Sequence, residues 1–194
     1  MMKTRRFDLK NWKITYNSPV ILTYALICLA VVGLGYVSGG WTTREFFVLM
    51  PNFSLANLPR MFTYVLGHGN FAHFFGNFAI ILLVGPLIEE KYGAKNLLMM
   101  IAFTAFVTAI IQILLFNSAL VGASGIAFLL ILLSPFTNYK ERSIPLTFVF
   151  ILIMYLGREV FDMIAVRDNV SQFAHVLGGL IGAGFGMFLK PVRR

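Results

Sequence analysis

The sequence predicts an all-α fold, a polytopic membrane protein built as a bundle of six transmembrane helices. The first observation is the composition: 58% of the 194 residues are hydrophobic and 12% are charged, whereas about a quarter of a soluble domain is charged. The second is a series of uncharged apolar runs, close to the roughly 20 residues that cross a bilayer. The third is an uneven distribution of lysine and arginine between the two predicted membrane faces.

Uncharged apolar stretches define the six predicted spans. The uncharged run from Asn96 to Tyr139 is too long for one helix, and Asn117, Ser118 and nearby glycines divide it in two. The spans, in chain order, are Pro19 to Ser38, Phe71 to Ile88, Asn96 to Phe116, a short one from Ser124 to Phe136, Ile144 to Gly157, and Phe173 to Leu189.

The segments outside the spans are short. We divide the chain into a basic cytoplasmic N-terminus (1–18), a six-helix membrane domain (19–190) and a cytoplasmic C-terminus (191–194). Within the domain, residues 39–67 are rich in aromatic side chains, which predicts a segment lying in the outer interface of the membrane. The basic start resembles a signal peptide, but the apolar run to Val37 is too long, so we expect an uncleaved anchor.

Charge predicts the orientation of the bundle. With six spans, one membrane face holds 12 of the 16 basic residues, and the positive-inside rule places that face in the cytoplasm with both termini. The net charge of +8 is therefore explained by the orientation of the protein in the membrane, and we expect no nucleic-acid partner. The cytoplasmic set is Lys3, Arg5, Arg6, Lys10, Lys13, Lys91, Lys95, Lys140, Arg142, Lys190, Arg193 and Arg194; the outer set is Arg44, Arg60, Arg158 and Arg167.

A hydroxyl among small residues is the centre of the predicted site. Ser124 lies in Gly122-Ala123-Ser124-Gly125, at the start of the fourth span. Small neighbours let other backbones approach the hydroxyl, and a helix that begins there directs N–H groups and its positive dipole end toward it. The six-span topology places His68, His73 and His175 at the same outer depth. Polar groups at such a depth normally face water or one another, which predicts a site.

Serine chemistry is the first interpretation of this site. Ser124 would be the nucleophile and His175 its general base, because serine needs an adjacent base to attack near neutral pH. His73 and Asn77 share a helix face at i and i+4, and with the Ser124 backbone N–H they would form an oxyanion hole. No Asp or Glu lies at that depth in an even-numbered span, so we expect a Ser-His dyad and not a triad.

Other interpretations of these residues stay open at this point. The small-residue tetrapeptide is compatible with a packing patch between helices, and the polar side chains with interhelical hydrogen bonds. His68, His73 and His175 could hold zinc with one open position, although the first two, five residues apart, diverge on a regular helix. A small transporter would need a charged residue within a span to couple ions, and the predicted spans contain none.

Glycine spacing predicts how the sixth span packs. Gly178 and Gly182 begin two overlapping GxxxG motifs, which permit close approach of helices. We expect the glycine face to press on the fourth span and to bring the sixth-span histidine toward Ser124. That face carries, at spacings of four, three and four, His175, Gly179, Gly182 and Gly186.

Four motifs, in this order, resemble the rhomboid family of intramembrane serine proteases over roughly Arg60 to Gly186. The stretch from His68 to Asn77 is similar to the family's second-helix motif. Glu89 to Gly93 resembles its ExxYG motif at the inner end of that helix. Gly122-Ala123-Ser124-Gly125 matches its GxSG motif, and Ala174 to Gly182 matches its AHxxGxxxG motif.

The resemblance implies an intramembrane serine endopeptidase that cleaves transmembrane segments of other membrane proteins. It implies a lateral gate at the fifth span, and partners that are such substrates and the lipid bilayer. We expect no metal and no cofactor. The residues implied are Ser124 as nucleophile, His175 as base, His73 and Asn77 as oxyanion donors, and Gly122, His68, Phe128, Gly178 and Gly182 as supporting residues.

Two positions depart from the family pattern. Pro59 stands before Arg60 where the family often has tryptophan, and Phe128 stands where it often has a tyrosine that stacks on the catalytic histidine. A phenyl ring can still stack. The alternative hypothesis is a non-catalytic rhomboid-like protein that binds membrane helices, and the presence of both Ser124 and His175 argues against it. We expect a multi-pass protein of the bacterial inner (plasma) membrane with both termini cytoplasmic.

Overall fold

The computed structural model describes residues 13–138, 144, 146–151, 153–154 and 169–192. Several predicted features lie outside the described residues. They are residues 1–12 of the basic N-terminus, five of the fourteen residues of the fifth span, and the basic residues Lys140, Arg142, Arg158, Arg167, Arg193 and Arg194.

The described chain is helical, which confirms the all-α prediction. Short 3₁₀ turns, Tyr64–Leu66 and Ser134–Asn138, extend the third and sixth helices, and residues 146–151 and 153–154 are also helical. The only β pairing among the described residues is an isolated bridge between Leu49 and Leu120. The helices are α1 (Pro19–Val37), α2 (Trp41–Phe47), α3 (Arg60–Thr63), α4 (Phe71–Tyr92), α5 (Ala94–Leu115), α6 (Ser124–Leu133) and α7 (Asn169–Phe188).

Three of these helices, α1, α4 and α5, are long and apolar enough to cross a membrane. Ser124–Thr137 and Gln172–Phe188 are shorter apolar helical stretches. These coincide with the first, second, third, fourth and sixth predicted spans to within a few residues. The full count of six spans stays a prediction, since part of the fifth lies outside the described residues.

The second span continues four residues beyond its predicted end at Ile88. Charged residues in the last turn of α4 do not break a helix, whereas Gly93, at φ 81°, ends it because glycine adopts this left-handed region without strain. At the other end, the Asn70 side chain caps α4 by accepting a hydrogen bond from the His73 backbone N–H at 2.8 Å.

Helix α6 is the centre of the described fold. Every residue of α6 after Ser124 is buried, as expected for a helix that is apolar on all sides. Helices α6 and α7 make the most extensive contact between described elements. A Cβ atom on Gly178 would overlap the Gly125 carbonyl, and one on Gly182 would overlap the Leu129 carbonyl. The glycine face of α7 therefore packs against the backbone of α6, as the sequence predicts.

The first residues of α1 are held by a carboxylate from the end of α4. Glu89 is buried and accepts hydrogen bonds from the backbone N–H groups of Val20 at 3.0 Å and Ile21 at 3.1 Å. Ser18 occupies the N-cap position without a side-chain capping bond. Glu89 therefore satisfies donors that the helix itself leaves unpaired and places a negative charge at the positive end of the α1 dipole.

We expect Glu89→Ala to destabilise the protein measurably in thermal unfolding in detergent. The substitution leaves two backbone donors without an acceptor, and each buried unsatisfied group costs about 1–3 kcal/mol. Glu90→Ala is the matched control, because Glu90 is exposed and its carboxylate lies 3.9 Å from the Lys91 ammonium, a contact of small energetic value. Equal melting temperatures for Glu89→Ala and wild type would contradict the capping role.

Candidate functional site

The loop that precedes Ser124 is tied to the segment 39–67 by backbone hydrogen bonds. Leu49 and Leu120 exchange two N–H to carbonyl bonds of 2.9 Å, and the Gly122 N–H donates to the Tyr64 carbonyl at 3.0 Å. Gly122 has φ 129°, a conformation that L side chains rarely adopt. These ties fix the chain immediately before Ser124.

Ser124 is the first residue of α6 and is half-buried. The N–H groups at the start of an α-helix have no partner within the helix, and the dipole of the helix favours negative charge there. The hydroxyl and the backbone N–H of Ser124 therefore lie where a developing oxyanion would be stabilised.

His175, on α7, lies beside the first turns of α6. Its ring stacks on Phe128, with ring centroids 4.5 Å apart and an interplanar angle of 5°. Phe128 follows Ser124 by four residues, so both lie on one face of α6. A Cβ on Gly125 would lie 3.4 Å from the Ala174 carbonyl, so the backbones adjoining Ser124 and His175 are also close. The phenyl ring thus takes the stacking position implied for the family's tyrosine.

Two side chains of α4 reach the loop before Ser124. A Cβ atom on Gly122 would lie 2.7 Å from His73 Cε1, 2.9 Å from His73 Nε2 and 3.9 Å from Asn77 Nδ2. His73 and Asn77 therefore point to the same place, as their i, i+4 spacing predicts. His73 also lies near His175. The structure thus brings Ser124, His175, His73 and Asn77 into one region.

His68 corrects one sequence-based prediction. We expected His68 and His73 to diverge on one regular helix, which is wrong because α4 begins only at Phe71. His68 lies in the preceding loop, and its ring centroid is 5.2 Å from that of His73. Its Nε2 lies 3.2 Å from Asn77 Nδ2, so His68 orients the Asn77 amide. Among the residues described by the structure, no group of three or more His, Cys, Asp or Glu could hold a metal ion.

The protonation of His68 is controlled by its surroundings. Burial, and then the neighbouring His73, lower the pKa of His68 from 6.5 to about 4, against a smaller upward effect of the Leu66 backbone. His68 is 1% exposed and is neutral near pH 7. In that state Nε2 can accept a hydrogen bond from Asn77 while Nδ1 carries the proton.

We expect the stability of the protein to fall as the pH drops from about 6.5 toward 4, in part through His68. The folded state holds His68 neutral, whereas the unfolded state binds a proton near its ordinary pKa of 6.5; the contribution is therefore complete above that value and is lost below it. Thermal unfolding across this range should show a weaker pH dependence for His68→Gln, which does not titrate. Identical pH profiles for both proteins would contradict this assignment.

Polar residues of α5 that the sequence analysis missed lead to the same loop. Thr104, Thr108 and Gln112 are buried at a spacing of four, and Thr104 Oγ1 and Gln112 Oε1 have no hydrogen-bond partner among the described residues. Gln112 Nε2 donates to the Ser118 carbonyl at 2.9 Å, in the loop before Ser124. Their recurrence every four residues in an uncharged span is the signal that could have identified them.

Arg60 holds the segment 39–67 together although Pro59 precedes it. The Arg60 guanidinium donates to the Glu45 carbonyl and lies 3.8 Å from the Glu45 carboxylate. The segment therefore has an arginine anchor at the position where the family pattern has one.

Comparison with known proteins agrees with the motifs. A family model described as Rhomboid domain matches residues 56–192. The chain is also similar to the RHOMBOID-like protein 1 of Arabidopsis thaliana, at 28% identity over 144 residues that cover 68% of this chain and 35% of the relative. The chain thus spans about a third of the length of that relative. Because the family match covers well over half of the sequence, and because its helices are long and apolar, this chain is an integral membrane protein and belongs to the rhomboid family.

Proposed function

We propose that the protein is an intramembrane serine endopeptidase that cleaves transmembrane segments of other membrane proteins with a Ser124–His175 dyad. One observation carries the proposal: the stack of His175 on Phe128, one turn after Ser124, beside the loop that His73 and Asn77 contact. Membership of the rhomboid family supports the same chemistry.

In the proposed mechanism, Ser124 Oγ attacks the carbonyl carbon of the scissile peptide bond while His175 takes the hydroxyl proton. The carbonyl oxygen becomes an oxyanion, which accepts hydrogen bonds from the Ser124 backbone N–H and from the side chains of His73 and Asn77. The protonated His175 then gives its proton to the leaving amine as the C–N bond breaks. Water, deprotonated by His175, attacks the acyl-enzyme and releases Ser124.

Preorganisation of the donors supports this mechanism. The Asn77 amide is held by His68, and Gly122 leaves room for the His73 ring where any larger residue would collide with it. Fixed donors stabilise an oxyanion without reorganisation during the reaction, and one such donor typically contributes about 10²–10³ in kcat.

The proposed reaction also needs water and an accessible peptide bond. We infer that the buried Gln112 Oε1 holds the hydrolytic water near the loop before Ser124, because a buried polar group without a protein partner binds water. A substrate helix must unwind locally to expose its peptide bond, so small or helix-breaking residues near the cut are favoured. The proposed gate, the fifth span, lies partly outside the described residues.

Cleavage by the purified protein tests this function. Reconstituted wild-type protein should cut a transmembrane substrate that carries helix-breaking residues, and Ser124→Ala should not. Exhaustive chelation should leave cleavage unchanged, because the proposed mechanism uses only side chains and backbone of the chain. Binding of the substrate without cleavage, equal in both proteins, would favour the non-catalytic alternative, and activity restored by zinc would favour a metal site.

We also propose that both termini are cytoplasmic and that residues 39–67 lie outside, on the basis of the basic-residue distribution. A membrane-impermeant maleimide applied to intact cells should label Ser54→Cys and not Ser143→Cys, each in a Cys28→Ala background. Labelling of Ser143→Cys from outside would contradict this orientation and the six-span arrangement.

A further inference from the structure

A cavity of about 740 Å³ adjoins the candidate site. It lies between the C-terminal part of α1, the start of α2 and the loop before α4. The residues that line it include Gly39, Arg44, His68, Gly69 and Val121.

The cavity is within reach of a chain bound at Ser124. Val121 precedes Ser124 by three residues, and three residues of backbone span at most about 11 Å. His68, which also lines the cavity, holds the Asn77 amide. An extended substrate advances about 3.3 Å per residue. A side chain two to four residues from the cleaved bond can therefore enter the cavity.

The charge of the cavity wall comes from Arg44. It is the only Lys, Arg, Asp or Glu that lines the cavity in the described part of the chain. Its side chain is exposed, and the ion pairs found among the described residues join other partners, Arg60 with Glu45 and Lys91 with Glu90. A guanidinium matches a carboxylate in geometry and charge and can form two parallel hydrogen bonds with it.

The wall leaves space for a side chain. A Cβ atom on Gly39 or on Gly69 would meet nothing within 4 Å. An incoming Asp or Glu therefore does not have to displace protein atoms on that side of the cavity to approach the guanidinium.

We propose that this cavity is a substrate subsite that selects an Asp or Glu two to four residues from the cleaved bond, with Arg44 as the specificity-determining residue. The inference rests on the proposed protease function and adds a substrate class to it. Substrates would be transmembrane proteins with an acidic residue close to the cut, next to the membrane boundary.

A substrate series tests the subsite. One transmembrane substrate is prepared with Asp, Asn or Lys at each of four positions on either side of the cut, and kcat/KM is measured in proteoliposomes. Wild type should cleave the Asp substrate with a kcat/KM about tenfold higher than the Asn substrate at one position. This ratio corresponds to a free energy between that of an exposed ion pair and that of a hydrogen bond to a charged group. Arg44→Gln should abolish this preference, and Arg44→Glu should prefer Lys there. Lys95→Gln, an exposed basic residue away from the cavity, should behave as wild type.

A second pair of variants tests whether the preference for Asp depends on the open volume of the cavity. Gly69→Leu should reduce the preference by filling the cavity, whereas Gly76→Leu, at an equally open glycine outside it, should not. Labelling of Ser124 by a serine-directed phosphonate separates the two levels of the proposal. If Ser124 is labelled and substrates are cut, but the Asp to Asn ratio is equal in wild type and Arg44→Gln, the subsite is overturned and the protease function stands. Loss of labelling and of all cleavage in the wild type would overturn both.

Discussion

Replacing Ser124 or His175 by alanine is expected to leave no measurable cleavage of a transmembrane substrate. Ser124→Ala removes the attacking oxygen, and His175→Ala removes the base that takes its proton. His73→Ala and Asn77→Ala should instead slow turnover by about 10²–10³-fold each, because each removes one oxyanion donor and leaves the nucleophile in place. Initial rates in proteoliposomes over several orders of magnitude give the comparison.

Phe128 provides the control for these substitutions. Phe128→Tyr restores the ring that the family often has and keeps the stack on His175, so it should remain active. Thermal unfolding of each variant shows whether the fold is intact. Residual cleavage in Ser124→Ala, with the same cut site as wild type, would contradict the assignment of the nucleophile.

Gly182→Leu is expected to reduce cleavage and phosphonate labelling together, by about 10²-fold. Its side chain would collide with the Leu129 carbonyl of α6, a backbone atom that cannot rotate away. Overpacking of this kind typically costs about 1–3 kcal/mol, and a displacement near 1 Å between nucleophile and base can lower the rate by about 10²-fold. Gly182 lies two turns from His175 on α7, so the separation of the helices extends to the dyad.

Gly184→Leu is the matched control for Gly182→Leu. Both positions lie within α7, and a Cβ on Gly184 meets nothing within 4 Å. We expect this variant to keep wild-type activity and melting temperature. If Gly182→Leu behaves in the same way, the close packing of α7 on α6 does not position the dyad.

Much of the fold follows from local sequence features. The bounds of α1 and α5 follow from uncharged runs, and Ser124 begins α6 where small residues end a loop. The contact of Gly182 with α6 follows from GxxxG spacing, because glycine is selected where backbones meet. Periodicity also places His73 and Asn77 on one face, and the structure directs both to Gly122.

Contacts between segments far apart in the chain could not be predicted from local sequence features. The predicted second span begins at Phe71, as α4 does, but the bond from Asn77 to His68 depends on the path of the loop before α4, which no local pattern predicts. Glu89 was assigned to a motif, but its role as the acceptor for the first residues of α1 joins residues nearly 70 positions apart. The bridge between Leu49 and Leu120 likewise depends on the tertiary path of two loops.

The claim that His175 activates Ser124 is tested most directly by mapping the adduct of a serine-directed phosphonate. Purified protein in detergent is treated with the phosphonate, digested and analysed by mass spectrometry. We expect modification at Ser124 in wild type, none in Ser124→Ala, and a strongly reduced rate in His175→Ala with an unchanged melting temperature. Modification of another serine, or an equal labelling rate at Ser124 in His175→Ala, would contradict the Ser124–His175 dyad.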